Sequence, residues 1–248
     1  MRNSELWKET KFVRHRGELR ASRRAADLAP GSRLITDEIA KGFDEHIAKH
    51  VSGRLGDLGC GKVPLFGAYS AYATEVVCVD WPKSAHDNQF IDHLCDLCEP
   101  LPFADSYFDT IILSDVLEHI AEPQKLWFEI ARILVPGGKF LWSVPFMYWL
   151  HEEPNDYYRY TEFALRRFAE QSGFEVVALD PIGGIVELIA DASGKVLQAV
   201  PGVGGSLAGL VQTASSLAMR SHLGRLVHAR TCAKFPLAYL GVARRNGG

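Results

Sequence analysis

The sequence predicts an α/β fold built on a mostly parallel sheet with helices on both faces. Three observations carry that prediction. Apolar strand-like runs alternate with helical patterns from about residue 51 to 180, the arrangement of βαβ units. The run RLGDLGCG over 54–61 breaks from a strand into a glycine turn. A second run, EVVCVD over 75–80, presents the carboxylate of Asp80 at its C-terminal tip.

In chain order, residues 1–50 carry a basic stretch, Arg14 to Arg24, and then a helical pattern in Leu34, Ile35, Ile39, Phe43 and Ile47. They read as an N-terminal helical cap ahead of the main domain, 51–248. Strands are expected over 54–58, 75–80, 90–94, 108–114, 138–144 and 174–180, where short apolar runs end at turn residues. Pro136-Gly137-Gly138 stops one helix and launches a strand. Thr161 to Ser172 reads as a capped amphipathic helix with Gly173 placed to end it. A last apolar stretch, Phe235 to Ala243, is the seventh strand candidate. Between the sixth and seventh lies an insertion, 182–234, rich in Ala, Gly, Leu and Val and poor in acid after Asp191. It reads as a pair of helices that cover the sheet edge or meet a second copy. Alternatively it faces a membrane, because Arg220, His222, Arg225, His228 and Arg230 follow the apolar part.

Composition bounds the function. A chain of 248 residues, 47% hydrophobic, buries a full core as one catalytic domain with an insertion. A formal charge of -3 leaves no global basic excess to condense on phosphates, which disfavours nucleic acid as the main substrate. The first residues lack the apolar core of a secretory signal and no run is long enough to span a bilayer, so a cytoplasmic location is expected. Five cysteines without framework spacing suit free thiols. Cys95 and Cys98 form a CxxC, but a zinc site needs a second pair.

The glycine turn and the carboxylates point to an adenosine cofactor. Gly59 and Gly61 lack a Cβ, so the backbone bends sharply and a ligand approaches it closely. Asp80 suits a ribose, whose vicinal hydroxyls a carboxylate accepts. Pro64 stands where a dinucleotide fingerprint has its third glycine, and Asp57 ahead of the turn repels a pyrophosphate but holds an ammonium group. At these residues the chain resembles the class I S-adenosyl-L-methionine (SAM) dependent methyltransferases of the type 11 kind, although that family places a further glycine near Val63. Asp96-Leu97, followed by Pro100 to Phe103 and Ser106 to Asp109, is similar to the family stretch whose acidic residue receives the adenine amino group. Ser114-Asp115-Val116-Leu117-Glu118-His119 is similar to its fourth-strand segment. The resemblance implies a Rossmann-like fold with seven strands, the last antiparallel. It also implies SAM as cofactor, with Asp57, Gly59, Gly61, Asp80, Asp96, Leu97 and Ser114 around it.

Chemistry is expected in the loop from Pro145 to Thr161, where rings, carboxylates, a histidine and an arginine crowd at the strand ends. Its H-x-x-P-x-D-Y-x-R-Y-T pattern resembles a bacterial subset often linked to surface-glycan synthesis. His151 is the first candidate for a general base. Asp156 is a second base candidate, or the group that orients His151. Arg159 would bind a phosphate or carboxylate on the acceptor, or pair with Glu152 or Glu153. Tyr157 and Tyr158 would stack on a sugar face or fill the core. His119 is expected beside the acceptor. Asp115 and Glu118 flank it without completing a ligand set, so no metal is expected. The reading is a methyltransferase acting on a hydroxyl of a carbohydrate or small polar acceptor. An N- or C-methyltransferase, or a SAM-binding module without turnover in a glycan assembly, are the alternatives. Peripheral membrane contact or a homodimer would engage the insertion.

Overall fold

The computed structural model describes residues 1–84 and 89–247. It opens with a hairpin, β1 (Phe12–His15) and β2 (Glu18–Ala21), joined at Arg16 and Gly17, whose φ angles are 54° and 89°. Two successive positive φ values make the tight turn that matches strand twist. The basic stretch is therefore a hairpin, and 1–50 is not helical throughout. Three of its five arginines are paired internally: Arg14 with Asp44 at 2.8 Å, Arg23 with Asp37 at 2.7 Å and Arg24 with Asp27 at 2.6 Å. Helix α1 (Arg33–His50) follows, burying Leu34, Ile35, Ile39, Phe43 and Ile47 on one face. That face packs with Leu141, Ile182, Leu240 and Val242 of the sheet, so α1 is part of the domain core.

The sheet contains β3 (Arg54–Leu58), β4 (Glu75–Asp80), β5 (His93–Leu94), β6 (Phe108–Ser114), β7 (Leu134–Pro145), β8 (Phe174–Ile182) and β9 (Ala238–Arg245). Their order is β5-β4-β3-β6-β7-β9-β8. The neighbours are parallel except β9, which runs antiparallel to both β7 and β8. Chain order reverses between β3 and β6, and ligands in open α/β sheets sit at such a switch point.

Both faces are covered. On one, α3 (Pro123–Ile133) and α4 (Glu162–Gln171) pack Trp127 and Leu165 against Phe140, Trp142 and Phe174. On the other lie α1 and the short α2 (Phe66–Tyr69). Phe140, Trp142 and Val144 belong to the first cluster and Leu141 to the second, as alternation along a doubly buried strand requires. Thr161 caps α4, its side chain accepting from Ala164 N–H at 3.3 Å. Thr161→Ala should lower stability by about 1 kcal/mol, read from denaturant melts; an unchanged midpoint would show that the cap carries nothing.

The strand expected at 90–94 shrinks to two residues at the exposed sheet edge, where short strands guard against edge pairing. The strand expected at 138–144 begins at Leu134 instead, with a register shift between the Phe108↔Leu134 and Thr110↔Lys139 pairs that absorbs Pro136-Gly137-Gly138. The seventh strand starts at Ala238 rather than Phe235. The insertion forms three helices rather than two: α5 (Ile185–Gln198), α6 (Gly204–Arg220) and α7 (His222–Thr231). Buried Gln212 ties α6 down, accepting from Leu34 N–H at 2.9 Å and donating to the Ala190 carbonyl at 2.8 Å. Among the described residues no helix is long and apolar enough to cross a membrane.

Candidate active site

The turn after β3 is pinned to its neighbour. Backbone N–H groups of Gly59 and Cys60 both donate to the Val79 carbonyl of β4, at 2.8 and 3.0 Å. Gly59 and Gly61 have φ of 69° and 50°, and Val63, two residues on, has φ of 51°. A buried β-branched residue thus occupies the left-handed conformation that glycine accepts more readily. The departure at Val63 changes the side chain and keeps the backbone course. Trp7 helps hold it, donating its indole N–H to the Val63 carbonyl at 3.0 Å.

Three carboxylates line the adjacent strand ends. Asp57, in β3, is buried and accepts from the Tyr69 hydroxyl at 2.7 Å; burial pushes its pKa up to about 7. Asp80 closes β4, buried, with Oδ1 accepting from Trp81 N–H at 2.9 Å. Asp96, just past β5, accepts from Cys98 N–H at 2.9 Å and from the Trp81 indole at 3.2 Å, beside buried Leu97. Ser114 closes β6, its Oγ 3.2 Å from that of Ser143. All seven expected cofactor residues therefore lie in one row along the carboxyl ends of β3, β4, β5 and β6.

The loop after β7 is bound to the turn after β6. Tyr157 and Tyr158 donate backbone N–H groups to the Glu118 carbonyl at 2.9 and 3.3 Å, and His119 Nδ1 lies 2.8 Å from the Asn155 carbonyl. This stitching sets His151 between two carboxylates. Its Nε2 is 3.6 Å from Glu118 Oε1 and its Nδ1 3.3 Å from Asp156 Oδ2, while its backbone N–H donates to Asp156 at 2.9 Å. Glu118 is fully buried and neither of its oxygens has a hydrogen-bond partner. Burial raises the Glu118 pKa, and Glu118 in turn raises that of His151 against the opposing effect of burial. His119 Nε2 lies 3.7 Å from the same Glu118 oxygen. Glu118, His119 and His151 together bring three ligand-type atoms within 4.8 Å of one another.

Arg159 is committed to the loop itself. Its guanidinium grips Asp156 at 2.6 and 2.7 Å and donates to the Trp149 and Tyr158 carbonyls, each at 2.8 Å. The acidic partner is Asp156, not Glu152 or Glu153, because i,i+3 spacing lets the fork meet the carboxylate squarely. The same pairing holds Asp156 well below the usual carboxylate range. Held in this way by Arg159, Asp156 is a weak base, and its place beside His151 suits the orienting part. Tyr157 is exposed and its hydroxyl donates to the Asn155 side chain at 3.1 Å; Tyr158, also exposed, donates to the Ala121 carbonyl at 2.8 Å. Neither fills the core.

Two outside elements close over the loop. Lys195 of α5, paired with buried Asp191, stands 3.5 Å from the Tyr148 ring centroid and 5.1 Å from that of Trp149. Lys11, ahead of β1, pairs with Asp115 at 3.0 Å, and Ser143 donates to the other Asp115 oxygen at 2.7 Å. Sequence reasoning missed Lys11, Asp191 and Lys195. Only the lack of acid after Asp191 marked the region, and nothing local named its contacts.

Comparison with known proteins agrees with the fold. Residues 56–142 match the model of the Methyltransferase domain family. The demethylmenaquinone methyltransferase of Renibacterium salmoninarum is 26% identical over 128 residues, covering 46% of this chain and 54% of that protein. The ubiquinone biosynthesis O-methyltransferase of Coxiella burnetii is 31% identical over 96 residues, 35% of this chain and 41% of the relative. The chain thus spans about half the length of these curated relatives or less. Among solved structures, a SAM-dependent methyltransferase from Mesorhizobium loti superposes with a TM-score of 0.50 at 18% identity, covering 82% of this chain and 95% of that one. The [4+2]-cyclase SpnF superposes at 0.54 and 16% identity, over 86% and 83% of the two chains. At such identities the likeness is one of fold. Strand order, cradle and matched segment define a class I methyltransferase domain. Its cofactor is S-adenosyl-L-methionine.

Proposed function

We propose that the protein transfers the methyl group of SAM to a hydroxyl of a carbohydrate or other small polar acceptor. The observation that carries this reading is His151, set between Glu118 and Asp156 beside the strand ends. An alcohol must lose its proton as its oxygen attacks, whereas a neutral amine attacks with a lone pair it already has, so a built proton-handling centre favours oxygen. In the reaction the O–CH3 bond forms in line as the S–CH3 bond breaks. S-adenosylhomocysteine leaves, and the hydroxyl proton passes to the histidine centre. Tyr157 and Tyr158, both exposed, offer faces for a sugar ring. Mass spectrometry after incubation with SAM and a panel of glycosides, phenols and amines tests it. Methyl transfer confined to amines, or SAM binding with no transfer to any class, would overturn the hydroxyl reading.

In the cradle, Asp80 receives the ribose hydroxyls and Asp96, with Leu97, the adenine. Asp57 faces the ammonium, Gly59 and Gly61 let the backbone approach, and Ser114 borders the methionine end. Asp80→Ala should weaken SAM by about 1–3 kcal/mol, the cost of losing charge-assisted hydrogen bonds. Undiminished affinity in calorimetry removes Asp80 from the site.

Asp57 adds a pH dependence with a definite sign. With its pKa at about 7 in the free protein, it is mostly neutral below that pH. A cationic ligand group favours the ionised form and so lowers the pKa in the complex. SAM affinity should therefore fall as pH drops through about 7, with a limiting slope near tenfold per pH unit, and binding in that range should release a proton. Calorimetry in buffers of different ionisation enthalpy reads both quantities. A flat affinity from about pH 7.5 to 5.5 would place the ammonium elsewhere.

The outward face of the insertion is proposed as a contact surface. Leu207, Leu210 and Leu217 stand exposed on α6, and Leu223 and Leu226 on α7 among Arg220, Arg225 and Arg230. Flotation with anionic liposomes, run beside size-exclusion chromatography, separates a bilayer from a second copy as its occupant.

A further inference from the structure

We propose that Glu118, His119 and His151 form a binding site for one divalent transition-metal cation. The three offer a carboxylate oxygen and two imidazole nitrogens within 4.8 Å. Glu118 Oε1 lies 3.6 Å from His151 Nε2 and 3.7 Å from His119 Nε2, too far for a hydrogen bond. Donors set tetrahedrally at about 2.1 Å from an ion stand roughly 3.4 Å apart, so the two edges at Glu118 need to contract by only a few tenths of an ångström, while the widest separation in the set, within 4.8 Å, closes by at most about 1.4 Å through rotation of the half-buried imidazoles.

The outer partners fix which nitrogen faces inward. The Asn155 carbonyl can only accept, so the His119 Nδ1 at 2.8 Å from it carries the hydrogen and Nε2 keeps its lone pair. His151 Nδ1 makes no hydrogen bond but lies 3.3 Å from Asp156 Oδ2, so the nearby carboxylate favours a hydrogen on Nδ1 and leaves Nε2, 3.6 Å from Glu118, as the inward nitrogen. A carbonyl or carboxylate behind the imidazole is how ligating histidines are oriented, by a hydrogen bond at His119 and by the proximity of Asp156 at His151. Glu118 supplies an independent observation: it is fully buried and both of its oxygens lack a hydrogen-bond partner. A carboxylate so placed is costly unless a cation answers it. Asp115 is not part of the set, being held by Ser143 and Lys11. Glu152, exposed and with Oε2 at 3.9 Å from His119 Nε2, marks the solvent-facing side of the set, where a fourth ligand would enter. Two nitrogens and one oxygen suit Zn2+, Mn2+, Fe2+ or Co2+ better than Mg2+ or Ca2+. If the hydroxyl reading above holds, an acceptor oxygen at the open position is acidified by the cation. In the metal-bound form His151 is a ligand and the acidified hydroxyl gives its proton to solvent water as the O–CH3 bond forms; in the metal-free form His151 takes that proton, as above.

The test needs no acceptor. Full-length protein is dialysed against chelator and titrated with Co2+, followed by calorimetry and visible absorption. One equivalent should bind without the strong near-ultraviolet band of a thiolate ligand, which separates this site from Cys95 and Cys98. Glu118→Gln and His119→Ala should each weaken Co2+ by at least about tenfold, since removing even an outer partner of a ligand costs that much. The exposed control Glu153→Gln should not. Retained SAM binding shows that each variant is folded, and if one is not, the other decides. No Co2+ binding by the folded protein, a thiolate band, or equal affinity in the variants overturns the metal site and leaves the hydroxyl reading standing. Metal binding together with methyl transfer only to nitrogen does the reverse.

Discussion

His151→Ala is expected to lower turnover by about 10²–10⁴-fold while leaving SAM affinity nearly unchanged, the signature of a group that acts on the acceptor's proton and not on cofactor binding. In free energy that is roughly 3–5.5 kcal/mol of transition-state stabilisation. The separation of effects follows from placement. His151 touches Glu118, Asp156 and the rings of His119 and Tyr148, none of which belongs to the carboxylate row at β3, β4 and β5. The loop should also survive the change, because its main anchors are the Asp156–Arg159 fork and the backbone bonds to Glu118, which an alanine leaves in place. Single-turnover rates with an acceptor identified in the panel above, and calorimetry for SAM, read the two quantities. A full-rate variant would remove the proton from this centre. Loss of folding on substitution would make His151 a structural residue. The size of the fall alone does not tell a base from a metal ligand; the Co2+ titration does.

The cofactor cradle was legible because each of its parts is local. A strand, a glycine turn and an acid at the next strand's tip are written within short stretches, and the backbone supplies the rest of the geometry. Even Val63 obeys that logic, keeping a left-handed φ where the glycine is missing. The acceptor side was less legible because its parts meet only through tertiary contact. Glu118 and His151 belong to different loops, and the bonds that join them run from Tyr157 and Tyr158 N–H groups to one carbonyl, about which side-chain identity says nothing. The partner of Arg159 was misread for a related reason. Three acids lie within reach along the chain, and the choice of Asp156 depends on how the loop bends.

Among the elements, central strands were placed to within a residue or two because burial on both faces concentrates apolar residues, as in Val76 to Val79 of β4 and Ile111 to Leu113 of β6, while β3 was marked by the glycine turn that ends it. The β1–β2 hairpin escaped because its alternation is short and its arginines read as a charged surface. Its Arg16-Gly17 turn was the available signal. The insertion's three helices were read as two because Pro201 and Gly202 mark one break clearly, whereas the break between α6 and α7 is only the Ser221 cap. The reach of Lys195 to Tyr148 and Trp149 depends on how α5 lies across the domain.

Gly59→Ala should destabilise the protein by roughly 2–5 kcal/mol, with contributions from backbone and packing that a second substitution can separate. The backbone part arises because φ is +69°, and a left-handed residue with a Cβ costs about 1–2 kcal/mol. The packing part arises because the added Cβ would lie 2.6 Å from Val116 Cγ2 and 2.9 Å from its Cγ1. Val116 has a stiff β-branched side chain, so relief requires backbone movement, at about 1–3 kcal/mol. The turn cannot swing away cheaply, since Gly59 and Cys60 both donate to the Val79 carbonyl. In a Val116→Ala background only the 3.3 Å approach to Cβ remains of the packing part, so Gly59→Ala should cost little more than the backbone part of about 1–2 kcal/mol there. Denaturant melts of the four proteins complete the cycle. An equal cost in both backgrounds would clear Val116 as the obstacle, and no cost in either would show that the turn is not left-handed. Because the same turn carries the backbone that meets the cofactor, SAM affinity should follow the strain. It should fall in Gly59→Ala and recover in part when Val116 is shortened.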